Sequence, residues 1–244
     1  MHEQSYTSSI LSTAQVTVAS QPIIVALDFA DTKALRALVD QLSPALCRLK
    51  IGKEVFTREG PRMVEQLMHK GFEVFLDLKF HDIPTTVAKA CVSAAELGVW
   101  MMNVHALGGR RMMREAVERL EPLSGKKPFL IAVTLLTSMS DSDFSELHLM
   151  GTLKSNVLRL ASLAKESRLQ GVVASAEEAA AIKAACGRDF LVVTPGIRLE
   201  TSPSDDQSRT MTPLEALKQG ADFLVIGRPI TQSANPLQTL EAIH

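Results

Sequence analysis

The chain has 244 residues, of which 46% are apolar and 22% charged, with 26 Lys and Arg against 27 Asp and Glu. These are the values of an ordinary globular chain and exclude wholesale disorder or a collagen-like fibre; the length fits one α/β barrel better than two average domains. A net charge of −1 argues against a broad polyanion-binding surface, and so against a nucleic-acid partner, but leaves room for a local basic pocket.

Residues 1–20 are rich in Ser, Thr and Gln and lack a basic stretch followed by an apolar core, so they read as a loose extension rather than a secretory signal. The expected organisation is this extension followed by one barrel domain over residues 21–244. Cys47, Cys91 and Cys186 are odd in number and widely spaced, which fits neither a disulfide framework nor a metal site and suggests a reducing, cytoplasmic setting. No apolar run approaches the length of a membrane span.

From residue 21 onward, short apolar runs alternate with stretches of helical period. The runs cover 23–29, 48–52, 73–80, 101–106, 129–136, 171–175, 191–197 and 223–230. The first, Ile23-Ile24-Val25-Ala26-Leu27, is continuously apolar, which is how a strand buried on both faces of a parallel sheet reads. Between the runs, Leu35, Leu38, Val39 and Leu42 form one apolar stripe at helical spacing, as do Val87, Ala90, Cys91 and Ala94, and more loosely Leu153, Val157, Leu160 and Ala164. Gly71 and Gly98 stand where a left-handed helix cap needs glycine, and Pro84 and Pro213 stand near helix starts. Eight strands alternating with eight helices predict a closed (β/α)₈ TIM barrel of the α/β class. The alternative is an open doubly wound sheet, disfavoured because no Gly-x-Gly-x-x-Gly follows the first run. Two polar stretches interrupt the alternation. Residues 137–150 have room for a short extra helix, and 199–211 read as a lid or as a simple surface loop, with Gln207 the candidate ligand contact.

In such a barrel the C-terminal strand ends carry the chemistry. Asp28, Lys50, Asp77, Lys79, His105, Thr134, Thr137, Ser175, Arg198 and Arg228 all fall at that level. Charges inside apolar strands are costly unless paired, so their recurrence there is the main functional signal. Asp77 and Lys79 alternate onto one face, Asp82 follows in the turn, and Lys50 comes from the neighbouring strand. An ammonium ion flanked by carboxylates stays protonated and can donate to a carbanion without a metal. The competing explanation is a structural ion pair with Asp82 as a helix N-cap and Pro84 in the first turn. After strands seven and eight, Gly196 with Arg198 and Gly227 with Arg228 suggest a phosphate site, since loops there often hold phosphate and arginine offers it a planar fork. His105 reads as structural, Gly108-Gly109-Arg110-Arg111 as a turn and helix start, and Met101, Met102, Met112 and Met113 as packing residues. No nucleophile elbow, zinc-ligand spacing or Walker loop is found.

Asp77-x-Lys79-x-x-Asp82, in the setting Asp-Leu-Lys-Phe-His-Asp-Ile-Pro-x-Thr, resembles the signature of the orotidine 5′-phosphate decarboxylase family. Asp28, Lys50, Leu136-Thr137-Ser138-Met139, Thr194-Pro195-Gly196-Ile197-Arg198 and Ile226-Gly227-Arg228-Pro229-Ile230 match in order, and the likeness is to the bacterial branch. The resemblance implies conversion of orotidine 5′-phosphate to uridine 5′-phosphate (UMP) and CO₂, the last step of de novo UMP synthesis, with no metal and no organic cofactor. It implies that Lys79 protonates C6, that Asp77 lies beside the leaving carboxylate, and that Lys50 and Asp82 complete the array. It also implies a homodimer in which Asp82, with Thr86 nearby, acts across the interface. Asp28 and Lys50 would contact the ribose, Thr137 the pyrimidine, and Arg198, Gln207, Gly227 and Arg228 the phosphate. The extension 1–20 lies outside the likeness and is expected to be dispensable. Two rivals remain. One is a Mg²⁺-dependent sugar-phosphate decarboxylase or aldolase on the same scaffold, against which Lys50 stands where that chemistry favours an acidic residue. The other is a non-catalytic nucleotide-binding barrel, which would not need the complete charged array.

Overall fold

The computed structural model describes residues 21–199 and 211–243. In chain order the elements are β1 (Ile23–Leu27), α1 (Thr32–Val39), β2 (Arg48–Gly52), α2 (Lys53–Glu59), α3 (Pro61–His69), β3 (Val74–Phe80), α4 (Pro84–Glu96), β4 (Met101–His105), α5 (Gly109–Leu120), β5 (Phe129–Val133), α6 (Asp141–Glu146), α7 (Leu153–Glu166), β6 (Gly171–Val173), α8 (Ala176–Cys186), β7 (Leu191–Thr194), α9 (Pro213–Lys218), β8 (Phe223–Ile226), α10 (Arg228–Thr231) and α11 (Pro236–Ile243). Each strand pairs in parallel with the next, and β8 closes on β1, so the sheet is the expected barrel and the open-sheet alternative falls.

Two apolar layers result. Ile24, Phe75, Met101, Ile131, Val193 and Val225 fill the barrel interior. The opposite strand faces, such as Ile23, Leu49, Leu76 and Met102, pack against the helices. The predicted helix stripes face this second layer: Leu35, Leu38, Val39 and Leu42 are all buried, with the Asp31 side chain capping α1 by accepting from the Lys33 and Ala34 N–H groups. Gly71 and Gly98 adopt φ of +89° and +83°, as a left-handed cap requires. At the N-terminal end, the Arg48 guanidinium lies 4.3 Å from the Trp100 ring centroid and 2.8 Å from Glu73, closing the bottom of the barrel with a paired, stacked cation.

Three features differ from expectation. First, six of the apolar runs outlast their strands at the C-terminal end, most of all the last, where the strand stops at Ile226 and residues 228–231 form α10. Pro229 sits in the first turn of that helix, where its missing N–H costs little; Ile230 is fully buried because this turn covers the barrel, while Arg228 beside it is charged and exposed. Second, eleven α-helices stand among the described residues where eight were expected. Gly60, at φ +64°, and Pro61 divide the second helical stretch into α2 and α3, α10 is added after β8, and α6 is the short helix foreseen in 137–150. Third, β3 and β4 slip out of register between Leu76 and Phe80, which bears on the site below.

Gly171 begins β6 so close to β7 that a Cβ there would lie 2.4 Å from the Leu191 carbonyl oxygen. Backbone cannot yield as a flexible side chain would. Gly171→Ala is therefore expected to lower stability by about 1–3 kcal/mol, seen as a fall of several degrees in Tm by thermal unfolding.

Candidate active site

The β1–β2–β3 register sets the charged array. Ala26 stands opposite Lys50, Lys50 opposite Phe75, and Gly52 opposite Asp77, so the polar side chains come into play where the apolar interior ends. Lys50 Nζ lies 3.2 Å from Asp28 Oδ1 and 3.3 Å from Asp77 Oδ2, and Lys79 Nζ lies 2.6 Å from Asp77 Oδ1. Carboxylate and ammonium thus alternate along one chain, Asp28–Lys50–Asp77–Lys79. A Cβ on Gly52 would approach Asp28 Oδ1 to 3.2 Å and Lys50 Nζ to 3.5 Å, so glycine there leaves this first link its space.

Burial alone would push the Asp77 carboxyl up, but the two ammonium groups and the Asn103 amide more than offset it and hold the carboxyl below its ordinary range. Burial alone would pull Lys50 down, but Asp77 and Asp28 reverse the effect and hold its ammonium above the ordinary range. Both groups are therefore charged at neutral pH although their side chains are only about one-tenth exposed.

Lys79 reaches the array from an unusual backbone. Its φ is +52°, a left-handed conformation that costs a non-glycine residue about 1–2 kcal/mol. The slip of β3 against β4 occurs over this segment. Asn103, fully buried on β4, donates from Nδ2 to Asp77 Oδ1 at 2.7 Å and accepts the Lys79 backbone N–H at 2.8 Å.

The array forms one side of a cavity of about 1090 Å³ at the C-terminal mouth of the barrel. Thr137, Gly196, Arg198, Gly227 and Arg228 line the same cavity, so the predicted base and phosphate contacts converge with the charged residues on one space. Arg198 is tied back by its N–H to the Met211 carbonyl at 3.1 Å, where the chain re-enters the described structure. Gln207 and most of the expected lid at 199–211 lie outside the described residues. Asp82 and Thr86 are exposed and do not line the cavity. Asp82 is not the N-cap of α4 either, because Ile83 holds that position; Asp82 accepts from the Ile83 N–H at 2.6 Å.

His105 stacks against His81 with ring centroids 5.4 Å apart. Burial, then the neighbouring His81 and Lys79 charges, push its pKa down to about 4, so it is neutral at pH 7 and fits the structural role expected of it. Met101, Met102, Met112 and Met113 are fully buried packing residues, and Gly109 opens α5 as the turn reading required. The residue that sequence reasoning missed is Asn103. Its signal was a carboxamide inside the otherwise apolar run Met101-Met102-Asn103-Val104, next to the densest charge cluster.

Comparison with known proteins agrees with this geometry. Residues 21–243 match the model of the orotidine 5′-phosphate decarboxylase / HUMPS family. The chain is 58% identical over 225 residues to the orotidine 5′-phosphate decarboxylase of Chromobacterium violaceum, covering 92% of this chain and 91% of that protein. It is 58% identical over 223 residues to that of Tolumonas auensis, covering 91% and 96%. Among solved structures, the orotidine 5′-phosphate decarboxylase of Lactobacillus acidophilus superposes with a TM-score of 0.81 at 37% identity, covering 91% of this chain and 97% of that one. A match spanning all but the first twenty residues and the last shows that the chain belongs to the orotidine 5′-phosphate decarboxylase / HUMPS family.

Proposed function

We propose that this protein decarboxylates orotidine 5′-phosphate to UMP and CO₂, the last step of de novo UMP synthesis. The observation that carries the reading is the alternating Asp28–Lys50–Asp77–Lys79 chain on one side of a cavity that Arg198 and Arg228 also line. The bond from C6 to the carboxylate breaks, CO₂ leaves, and the electron pair stays on C6. Lys79 then gives its ammonium proton to C6 and is recharged from solvent. A unit charge about 4 Å from the developing carbanion contributes about 4 kcal/mol at an effective dielectric of 20, before any gain from excluding water.

Asp77 acts in this reading mainly as a clamp. Two ammonium groups and an amide already surround it, so little net negative charge is left to repel the substrate carboxylate. Asp28 and Lys50 are assigned to the ribose, Thr137 to the pyrimidine, and Arg198, Gly227 and Arg228 to the phosphate, with Gln207 from the 199–211 segment. Binding energy at the phosphate can orient the base and so affect the chemical step as well as affinity.

The metal-dependent rival is disfavoured by the positive charge of Lys50 between Asp28 and Asp77, which occupies both carboxylates a divalent cation would need. A binding-only barrel would not require the cost of assembling three buried or half-buried charges, Lys50, Asp77 and Lys79, with Asp28 at their exposed end.

The working unit is proposed to be a homodimer. Asp82 stands outside its own cavity, beside Ile83, which is 67% exposed. Leu107, 46% exposed, lies between His105 and Gly108, and both of these adjoin His81. An acid set in an apolar exposed patch suits a second copy that receives Asp82, with Thr86, at its own cavity. Residues 21–244 are proposed to suffice for activity without 1–20. No helix among the described residues is long and apolar enough to cross a membrane, and the three cysteines are free, buried thiols, which supports a cytoplasmic setting.

Following the ultraviolet absorbance of orotidine 5′-phosphate in EDTA tests the activity. Rapid loss of substrate with UMP formed is expected; no turnover by folded protein would overturn the reading. Lys79→Ala should lower kcat by at least about 10⁴-fold while keeping the fold, and substantial residual turnover would remove Lys79 as the donor. Mixing Lys79→Ala with Asp82→Ala protein should restore about one quarter of wild-type activity, because half the dimers are hybrids with one intact site each. No recovery after demonstrated subunit exchange would contradict the shared site.

A further inference from the structure

We infer that Asn103 is a positioning residue for the proton donor: its side-chain amide replaces the sheet hydrogen bond that β3 loses at its bulge, and so sets Lys79 on Asp77. The inference rests on the decarboxylase reading above and adds a residue to its machinery.

The β3–β4 pairing runs Phe75 to Met101 and Leu76 to Met102, and then resumes at Phe80 with Val104. Four steps along β3 are thus matched by two along β4. The surplus lies across Asp77, Leu78 and Lys79, where a regular parallel ladder has no β4 backbone acceptor to offer the Lys79 N–H. Asn103 is the residue of β4 facing that gap. On its other side β4 keeps register, with Asn103 opposite Ile131, so the irregularity belongs to β3 alone.

The carboxamide fits this gap in one orientation only. The Lys79 N–H needs an acceptor, which is Oδ1 at 2.8 Å, and the Asp77 carboxylate takes a donor, which is Nδ2 at 2.7 Å. Both contacts are internal, since Asn103 is fully buried. The consequence is mechanical. Lys79 has a left-handed backbone that an L side chain avoids, and its side chain returns to the Asp77 oxygen that Asn103 also holds. The backbone of the donor and the carboxylate that holds its ammonium are therefore both fixed by a single amide. Asn103 does not line the cavity, so it acts through Lys79 and Asp77 and not on the substrate. The titratable groups around it are Asp77 and Lys79 on β3, with Lys50 of β2 behind Asp77, and His105 farther along β4, which faces Asp77, Lys79 and His81 but, with its pKa pushed down to about 4, stays neutral from pH 8 to 6; its β5 neighbour Ile131 brings none.

Two variants of the full chain test this, with wild-type turnover as the control: no wild-type turnover defeats the decarboxylase reading itself, whereas the outcomes below concern Asn103 in an active enzyme. Asn103→Ala should lower kcat on the order of 10²-fold, the usual cost of misplacing a catalytic group by about 1 Å, with the Kd for UMP changed by less than about threefold. Asn103→Asp is nearly isosteric and keeps the acceptor for the Lys79 N–H, so it carries the test if the alanine variant does not fold. Its carboxylate would meet that of Asp77, and two such groups hold one proton with a raised pKa. The kcat of Asn103→Asp relative to wild type should therefore rise as pH falls from about 8 to 6, as protonation restores a donor to Asp77. A kcat within about threefold of wild type, a loss of UMP affinity in step with kcat, or an Asn103→Asp pH profile parallel to that of wild type would overturn the inference.

Discussion

Asp77 is held between two ammonium groups, Lys79 at 2.6 Å and Lys50 at 3.3 Å, at the point where the apolar barrel interior gives way to the open mouth. Taking a single charge to that depth costs several kcal/mol, so none of the three is tenable alone. Together they persist, and the Asn103 amide and the Asp28 carboxylate extend the pairing at either end. Much of the local structure follows from keeping this cluster together. Gly52 leaves it space, the bulge in β3 turns Lys79 into it, and the slip against β4 puts an amide where the bulge has removed a backbone partner. Removing Asp77 would leave the buried Lys50 ammonium with only the exposed Asp28 as partner, so a substitution there threatens stability as well as chemistry.

The barrel and most of the site were legible in the sequence because they depend on patterns that the physics makes short-range. Strands buried on both faces read as continuous apolar runs, and charges stand out against them, so Asp28, Lys50, Asp77 and Lys79 were found by position. Strand ends were less legible. The last run continues through Pro229 and Ile230 after β8 has stopped, because the turn that follows packs Ile230 over the barrel, although Arg228 within it is charged and exposed. Alternation placed Asp77 and Lys79 on one face but could not show the left-handed Lys79 or the two-residue slip, since both arise from pairing with β4. Asn103 was hidden for the same reason: its importance is a matter of what lies across the sheet. Asp82 was singled out by its place in the charge cluster and Thr86 through family resemblance, and the single chain leaves both exposed outside the cavity.

In the proposed reaction the cavity separates two tasks. The residues assigned to phosphate follow β7 and β8, while the charged array belongs to β1, β2 and β3; the closed sheet brings these groups together because β8 pairs with β1. A fixed scaffold of this kind lets affinity gained at one end be used to orient the reacting atoms at the other. The groups stabilise one another before any substrate arrives, so the proposed mechanism needs no reorganisation when charge develops at C6.

The central claim is that this preset array, with Lys79 as its proton donor, stabilises a carbanion at C6. It is tested most directly without decarboxylation, by incubating UMP with the protein in deuterium oxide and following loss of the C6 proton by NMR. The account predicts that wild-type protein catalyses exchange of that proton for deuterium and that Lys79→Ala does not, although both bind UMP. Exchange that persists in Lys79→Ala, or its absence from a wild-type protein that turns over orotidine 5′-phosphate, would contradict it.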